Sequence, residues 1–493
     1  MTSDPDEYAN ELSGLPLFAQ PLPQTDEVPL RHLHRVPPLD DRTATDHARV
    51  PVDWALVAAL RAQASNQLSE AVAADRARMT PAGQQELGRA IVLDLIESTM
   101  ADRVNAGAAA YTPAEQGATA RAVFDSLFRL GRLQPLVDDD RVENIIITGH
   151  DQVLLELIDG TLVDGPAVAE SDEELIDFLV FLGSRSEVNA RSFSEADPVL
   201  HLRLDGGSRL AATCWVTPRP SVVIRRHRLM QVTLEDLVDR DLMTPLVASF
   251  LRAAIRARKS IVVSGCQGAG KTTLLRALCA DFDPFEAIGT FESEYELHLH
   301  ELPEQHRIVH AWEARPGTGE RGPDGLRAGE YTLSQALEDS FRFNLSRQIV
   351  GEVRGKEAWT MIKAMESSTG SVSTTHASDA IAAIRKLVTC SMESGPEVGH
   401  AAVTSKLSET VDLIVHLDLR TETVDGTPRR RRRVAEIVAV EPGEHQTGYA
   451  TTHVFKPGPD QMAVPSVLPD RFRELAVDGF DLTGYLTQQQ ERP

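Results

Sequence analysis

One stretch of this chain carries residue types that hold a phosphate chain. Gly265-Cys266-Gln267-Gly268-Ala269-Gly270-Lys271-Thr272 fits the pattern G-x-x-x-x-G-K-[ST], and Thr273 follows it. Upstream, Ser260-Ile261-Val262-Val263-Ser264 is a short apolar run without polar alternation, as a buried parallel strand requires. Downstream, Leu274-Leu275-Arg276-Ala277-Leu278 reads as a helix, so both flanks are those the motif needs. The glycines let the backbone close around phosphate oxygens, and N–H groups at a helix start favour negative charge. Lys271 is placed to reach the β- and γ-phosphates, and the Thr272 hydroxyl to face Mg²⁺. Residues 265–273 therefore read as a nucleoside triphosphate site.

Hydrolysis needs carboxylates for the metal and for the attacking water. Two acidic clusters offer them. Thr290–Leu297 contains Glu292, Glu294 and Glu296, of which Glu292 and Glu296 are the candidates and Glu294 reads as surface. In Gln348–Gly355 an apolar strand ends on Gly351-Glu352, the usual presentation of a metal-positioning acid at a strand's carboxyl end. Thr272 and Glu352 are thus the expected metal residues. In Ser373-Thr374-Thr375-His376-Ala377, His376 could sense the γ-phosphate, although a lone histidine is more often a satisfied core residue.

The elements that must position these groups can be read along the 493 residues. Residues 1–50 are Pro- and Asp-rich without periodicity, as in a disordered acidic tail. Residues 51–134 carry helical spacing over Trp54–Ala74 and Leu87–Met100, with Thr80-Pro81 and Thr112-Pro113-Ala114-Glu115 as helix starts. Residues 135–230 mix strands, such as Asn144–Thr148 and Val153–Leu157 around the turn Asp159-Gly160, with a helix over Glu173–Ser184. Residues 231–445 alternate strands and helices, which predicts an α/β doubly wound sheet. Residues 446–493 form a C-terminal extension. Fifty Lys and Arg face 73 Asp and Glu, a net charge of −23, which argues against a general nucleic-acid coat. Four cysteines are too few for a disulfide scaffold and fit a reducing cytoplasm. The apolar runs fall far short of the roughly 20 residues of a membrane span.

The P-loop, the Thr290–Leu297 segment, the Ile349–Ala358 segment and the Ser373–Ser378 segment stand in the order and spacing of the secretion-superfamily ATPases. The chain most resembles the CpaF/TadA-type ATPases of tight-adherence (Flp) pili, a branch of the type II/type IV secretion ATPases. Residues 140–156, Ala190-Arg191, Asp197-Pro198, His201–Leu210 and Val223–His227 resemble that family's N-terminal domain. The resemblance runs from about 135 to about 442. It implies a RecA-like P-loop core preceded by a smaller α+β, PAS-like domain. It implies Mg-ATP as cofactor and a ring-shaped homo-oligomer, a hexamer. The motor would be cytoplasmic and peripheral to the inner face of the membrane, docked on an inner-membrane platform protein to drive pilin assembly or protein export. Residue by residue, it makes Glu352 the Walker B acid, puts Glu292 and Glu296 in the aspartate box, and makes His376 the histidine-box histidine. Arg209 and Arg225 become the N-domain arginines that reach the phosphates. Arg315 and Arg342 match further family arginines. The chain departs at Ser293, where the family carries an acid, and over Ser367–Gly370, where one histidine and one acid are missing.

Other features weigh towards bland readings. Arg429–Arg433, five consecutive arginines, could be a nucleic-acid or acidic-lipid patch, but reads better as the solvated end of a hairpin turned at Gly426. Cys266 reads as a small side chain tolerated in the loop. His298 and His300 lack a third metal ligand and read as strand residues. Two further functions compete with the secretion motor: a conjugation-type nucleic-acid motor, and a nucleotide-gated scaffold with little turnover.

Overall fold

Two patterns of apolar residues divide the chain: in its middle they alternate along each strand, and in its C-terminal half they do not. The computed structural model describes residues 52–74, 80–185, 193–204, 207–226, 231–315, 317–323, 327–367, 370–395, 398–443 and 448–491. The expected acidic tail, Ala190-Arg191, Asp205-Gly206, His227 and Ser368-Thr369 lie outside them.

The alternating strands are β1 (Val142–Thr148), β2 (Gln152–Leu157), β3 (Leu162–Asp164), β4 (Val199–Arg203), β5 (Arg209–Thr213) and β6 (Ser221–Arg225). They form an antiparallel sheet in the order β3-β2-β1-β6-β5-β4. The Asp159-Gly160 turn joins β2 to β3, with Gly160 at φ 83°. One face carries Ile145, Ile147, Leu210 and Ile224 into a core closed by Leu175 and Leu179 of the helix Asp172–Arg185. Upstream, the helices Trp54–Ala74, Pro81–Asn105 and Pro113–Phe128 share a small core of Val57, Leu60, Val92, Ile96 and Val123. Both foreseen caps are present: Thr80 accepts from the Gly83 N–H, and Thr112 and Glu115 close a capping box.

The second sheet has nine strands: β7 (Ile261–Gly265), β8 (Ala287–Glu292), β9 (Ile308–Glu313), β12 (Arg347–Val353), β13 (Val372–Thr375), β14 (Leu413–Val424), β15 (Thr427–Pro442), β16 (Tyr449–Pro457) and β17 (Ala463–Pro465). Its order is β17-β16-β15-β14-β7-β13-β12-β8-β9. The pairs from β14 to β9 run parallel, and those from β14 to β17 antiparallel. Every residue of β7 is buried, because Val263 enters one core and Val262 the other. This is the α/β doubly wound sheet read from the sequence, with helices on both faces. Between β9 and β12, a short antiparallel ribbon is formed by β10 (Thr318–Arg321) and β11 (Arg327–Ala328). Residues beyond 445 continue the sheet, and the Phe250 ring meets Phe455, Phe472 and Phe480 at centroid distances of 5.1–5.9 Å. Among the described residues no helix is long and apolar enough to cross a membrane.

The arginine run requires a correction. It does lie on a β14–β15 hairpin turned at Asp425-Gly426, but its side chains are half-buried and paired with carboxylates instead of standing free in solvent. Arg429 pairs with Asp159 at 2.6 Å, Arg430 with Glu156 at 2.8 Å, and Arg431 and Arg433 with Glu422 at 3.4 Å. Arg432 spans Glu143 at 3.3 Å and Glu156 at 2.6 Å. Arg429, Arg430 and Arg432 form a seam between the two sheets, while Arg431 and Arg433 pair within the hairpin.

Candidate functional site

The P-loop leaves β7 and enters the helix Lys271–Cys279. Positive φ angles at Gly265 (153°), Gly268 (80°) and Gly270 (90°) give the loop its curl. A Cβ at Gly265 would lie 2.7 Å from the Leu417 carbonyl oxygen, so only glycine fits beside β14. Lys271 lies back across the loop. Its Nζ donates to the carbonyls of Gly265 (3.1 Å) and Cys266 (2.9 Å) and to His376 Nδ1 (3.0 Å). Burial lowers its pKa to about 8, against the opposing pull of Glu352.

The structure brings the separated motifs together here. His376 follows β13, and its Nε2 lies 2.5 Å from Glu352 Oε1 at the end of β12. An ammonium can only donate, so Nδ1 accepts from Lys271 and Nε2 carries the proton towards Glu352. His376 is therefore a bridge between lysine and acid, not a core residue. Arg354, which sequence reasoning missed, holds the other Glu352 oxygen at 2.5 Å. Burial raises the Glu352 pKa, but these two partners outweigh it and hold the acid down at about 2.

Glu292 ends β8 and is 2% exposed. Its Oε1 accepts the N–H groups of Glu296 (2.8 Å) and Leu297 (2.9 Å), and its Oε2 has no hydrogen-bond partner among the described residues. Burial raises its pKa to about 7, more than those two N–H bonds lower it. A buried acid that titrates near neutrality with one open oxygen is equipped to take a proton from water. Gly351 makes room for it, since a Cβ there would stand 2.9 Å from Glu292 Cγ.

Glu296 accepts from the Thr272 hydroxyl at 3.1 Å and forms a short ion pair with Arg209 of β5. Arg209 also donates to the Tyr295 carbonyl at 2.8 Å and stands 3.5 Å from Glu294. Arg276, another residue missed from sequence, donates to the Glu296 carbonyl. Arg225 is the register partner of Arg209, and its charge helps to depress Lys271. Thr273 lies in the first turn of the P-loop helix. Arg315 donates to the Gly329 carbonyl at 2.5 Å, and Arg342 lies in the turn after the helix Leu333–Ser340. The His298 and His300 reading needs correcting. His298 takes φ 52° before a 3-10 turn, and Glu301, the missing third group, meets it at 2.9 Å. Arg203 also approaches that carboxylate, at 3.9 Å, and competes with any cation there.

A model of the family described as "Type II/IV secretion system protein" matches residues 200–449, half of the chain. Conjugal transfer protein TrbB of Rhizobium radiobacter is 26% identical over 323 residues, covering 64% of this chain and 89% of that protein. Type IV secretion system protein PtlH of Bordetella pertussis is 30% identical over 191 residues, covering 38% of this chain and 52% of that one. The X-ray structure of the Legionella pneumophila ATPase DotB aligns with TM-score 0.43 at 20% identity, over 64% of this chain and 81% of that one. The matched span holds the P-loop, both acidic segments, His376, Arg209 and Arg225, so the motifs and the family match fall on one region. The chain belongs to the type II/IV secretion system protein family.

Proposed function

We propose that the chain is an ATP-hydrolysing motor of a pilus-assembly or secretion machine. The observation that carries this is the convergence of Lys271, Thr272, Glu296, Glu352, His376 and Arg209 on one P-loop. The residues fit a triphosphate: the loop is curled by three glycines, and Lys271 already spends its donors on carbonyl oxygens where phosphate oxygens would compete. Bound Mg-ATP supplies the phosphoanhydride bond that is cleaved. Thr272 and Glu352 would hold the metal, Lys271 and the N-domain arginines would balance phosphate charge, and Glu292 would take the proton of the attacking water.

The domain reading follows from that chemistry. Residues 135–230 act as a PAS-like sensor domain whose Arg209 and Arg225 hold the γ-phosphate only when it is present. Loss of the phosphate then opens the cleft against the core at 231–445. In a hexameric ring of the tight-adherence type, at the cytoplasmic face of the inner membrane, this motion would be passed to a platform protein. A nucleic-acid motor is the second reading, favoured by the conjugal-transfer name of the TrbB relatives. Against it, the five-arginine run at 429–433 is paired with carboxylates within the chain. Steady-state phosphate release from Mg-ATP by the purified chain tests the proposal. Release that is lost in Lys271→Ala supports it. Nucleotide binding without release would leave only the scaffold.

A further inference from the structure

The arginine run that the site chemistry does not use touches the nucleotide loop. Arg432 Nε donates to the Gly268 carbonyl at 2.8 Å, and the Arg432 Cδ lies 3.6 Å from where a Gly270 Cβ would be. The same guanidinium reaches Glu156 Oε1 at 2.6 Å and Glu143 at 3.3 Å, on β2 and β1 of the antiparallel sheet. Glu156 is fully buried, and its other oxygen is held by Arg430 at 2.8 Å and Asn144 at 2.9 Å. Backbone contacts fix the hairpin to the same place: the Arg430 N–H donates to the Gly160 carbonyl at 2.7 Å, and Arg429 bridges Thr161.

We propose that Arg432, seated by Glu156 and Arg430, is a positioning residue that ties the shape of the nucleotide loop to the position of the α+β domain. The proposal rests on the reading of this loop as the ATP site. A trans peptide places its C=O and N–H on opposite sides. By holding the Gly268 carbonyl outward, Arg432 keeps the N–H of the same unit, that of Ala269, facing into the loop. There it now donates to the Cys266 carbonyl at 3.3 Å. When a phosphate takes that N–H, the Gly268 carbonyl must turn with it, and Arg432 carries the change to two carboxylates of the other sheet. The Arg209–Glu296 pair is a separate contact with Thr272 of the same loop, so the α+β domain is tied to the site at two points. A buried carboxylate with only one remaining cationic partner is costly, so Glu156 holds Arg432 in one place and makes the connection stiff.

The test combines ATP affinity with hydrogen exchange over residues 142–164, in the full chain with and without Mg-ATP. Wild type is expected to change exchange over β1–β3 when ATP binds. Arg432→Gln should weaken ATP binding about tenfold and abolish that response, a loss typical of one broken coupling. Arg432→Lys can still reach the Gly268 carbonyl but cannot span two carboxylates. It should keep ATP affinity within about threefold and lose the response, a split that general unfolding would not produce. Glu156→Gln should copy Arg432→Lys, so the idea stays testable if Arg432→Gln folds poorly. An unchanged β1–β3 response in Arg432→Lys and Glu156→Gln overturns the proposal. Phosphate release by wild type is scored apart: its absence overturns hydrolysis alone, because the exchange response needs only binding.

Discussion

Glu292 illustrates how burial shifts a candidate catalytic base and what that costs the fold. Its ordinary pKa of 4.5 is raised to about 7 in the folded chain. Between those values the native state binds a proton that the unfolded state has lost, so stability falls as pH rises through 7 and levels off above it. The full loss is roughly 3 kcal/mol. Glu292→Gln keeps the oxygen that accepts the Glu296 and Leu297 N–H groups and removes the charge. It should gain about 1–2 kcal/mol at pH 8, after the cost of an unpaired amide N–H, and gain nothing at pH 5. Urea denaturation at the two pH values reads both outcomes. Gly351→Ala drives a Cβ against this side chain and should cost about 1–3 kcal/mol. With the P-loop untouched, ATP affinity should hold in that variant while turnover falls.

The elements that deliver these side chains differ in how openly the sequence announces them. Strand β7 and the P-loop helix were legible because their signals are local: an apolar run, then glycines, then a helical period. Glu352 was legible as a strand-end acid, Glu292 as a member of an acidic cluster after the P-loop helix, and His376 as a histidine after a small-polar strand end whose reading the family resemblance strengthened. The arginine hairpin was legible as a hairpin but not as a seam. Its partners Asp159, Glu156 and Glu143 lie 270 to 289 residues away, and no periodicity records such pairing. Arg354 stood two residues from Glu352, a spacing that along a strand places both on one face, and this signal could have found it. The helix Leu333–Ser340, which packs against β8, starts from a Thr332/Gln335 capping box. Thr332→Ala should lower stability by about 1 kcal/mol by chemical denaturation, without changing the protonation of the site.

At the scale of the whole molecule, two sheets with separate cores meet along an ionic seam, and the nucleotide loop lies in that seam. The net charge of −23 and the internal pairing of residues 429–433 leave no free basic track among the described residues of that hairpin. Fluorescence anisotropy with a single-stranded DNA oligonucleotide should therefore show binding no tighter than about 100 μM at 150 mM salt, the weak end of non-specific association. Tighter binding with a steep salt slope would favour the nucleic-acid motor. The central claim is that this loop hydrolyses Mg-ATP with Glu292 as the base. Single-turnover phosphate release by wild type and Glu292→Gln, from pH 6 to pH 9, tests it most directly. The account predicts a wild-type rate that rises through a pKa near 7, and a variant that binds ATP equally well but releases phosphate at least about a hundredfold more slowly, with that limb gone. Equal release by the two proteins, or none from wild type with ATP bound, would contradict it.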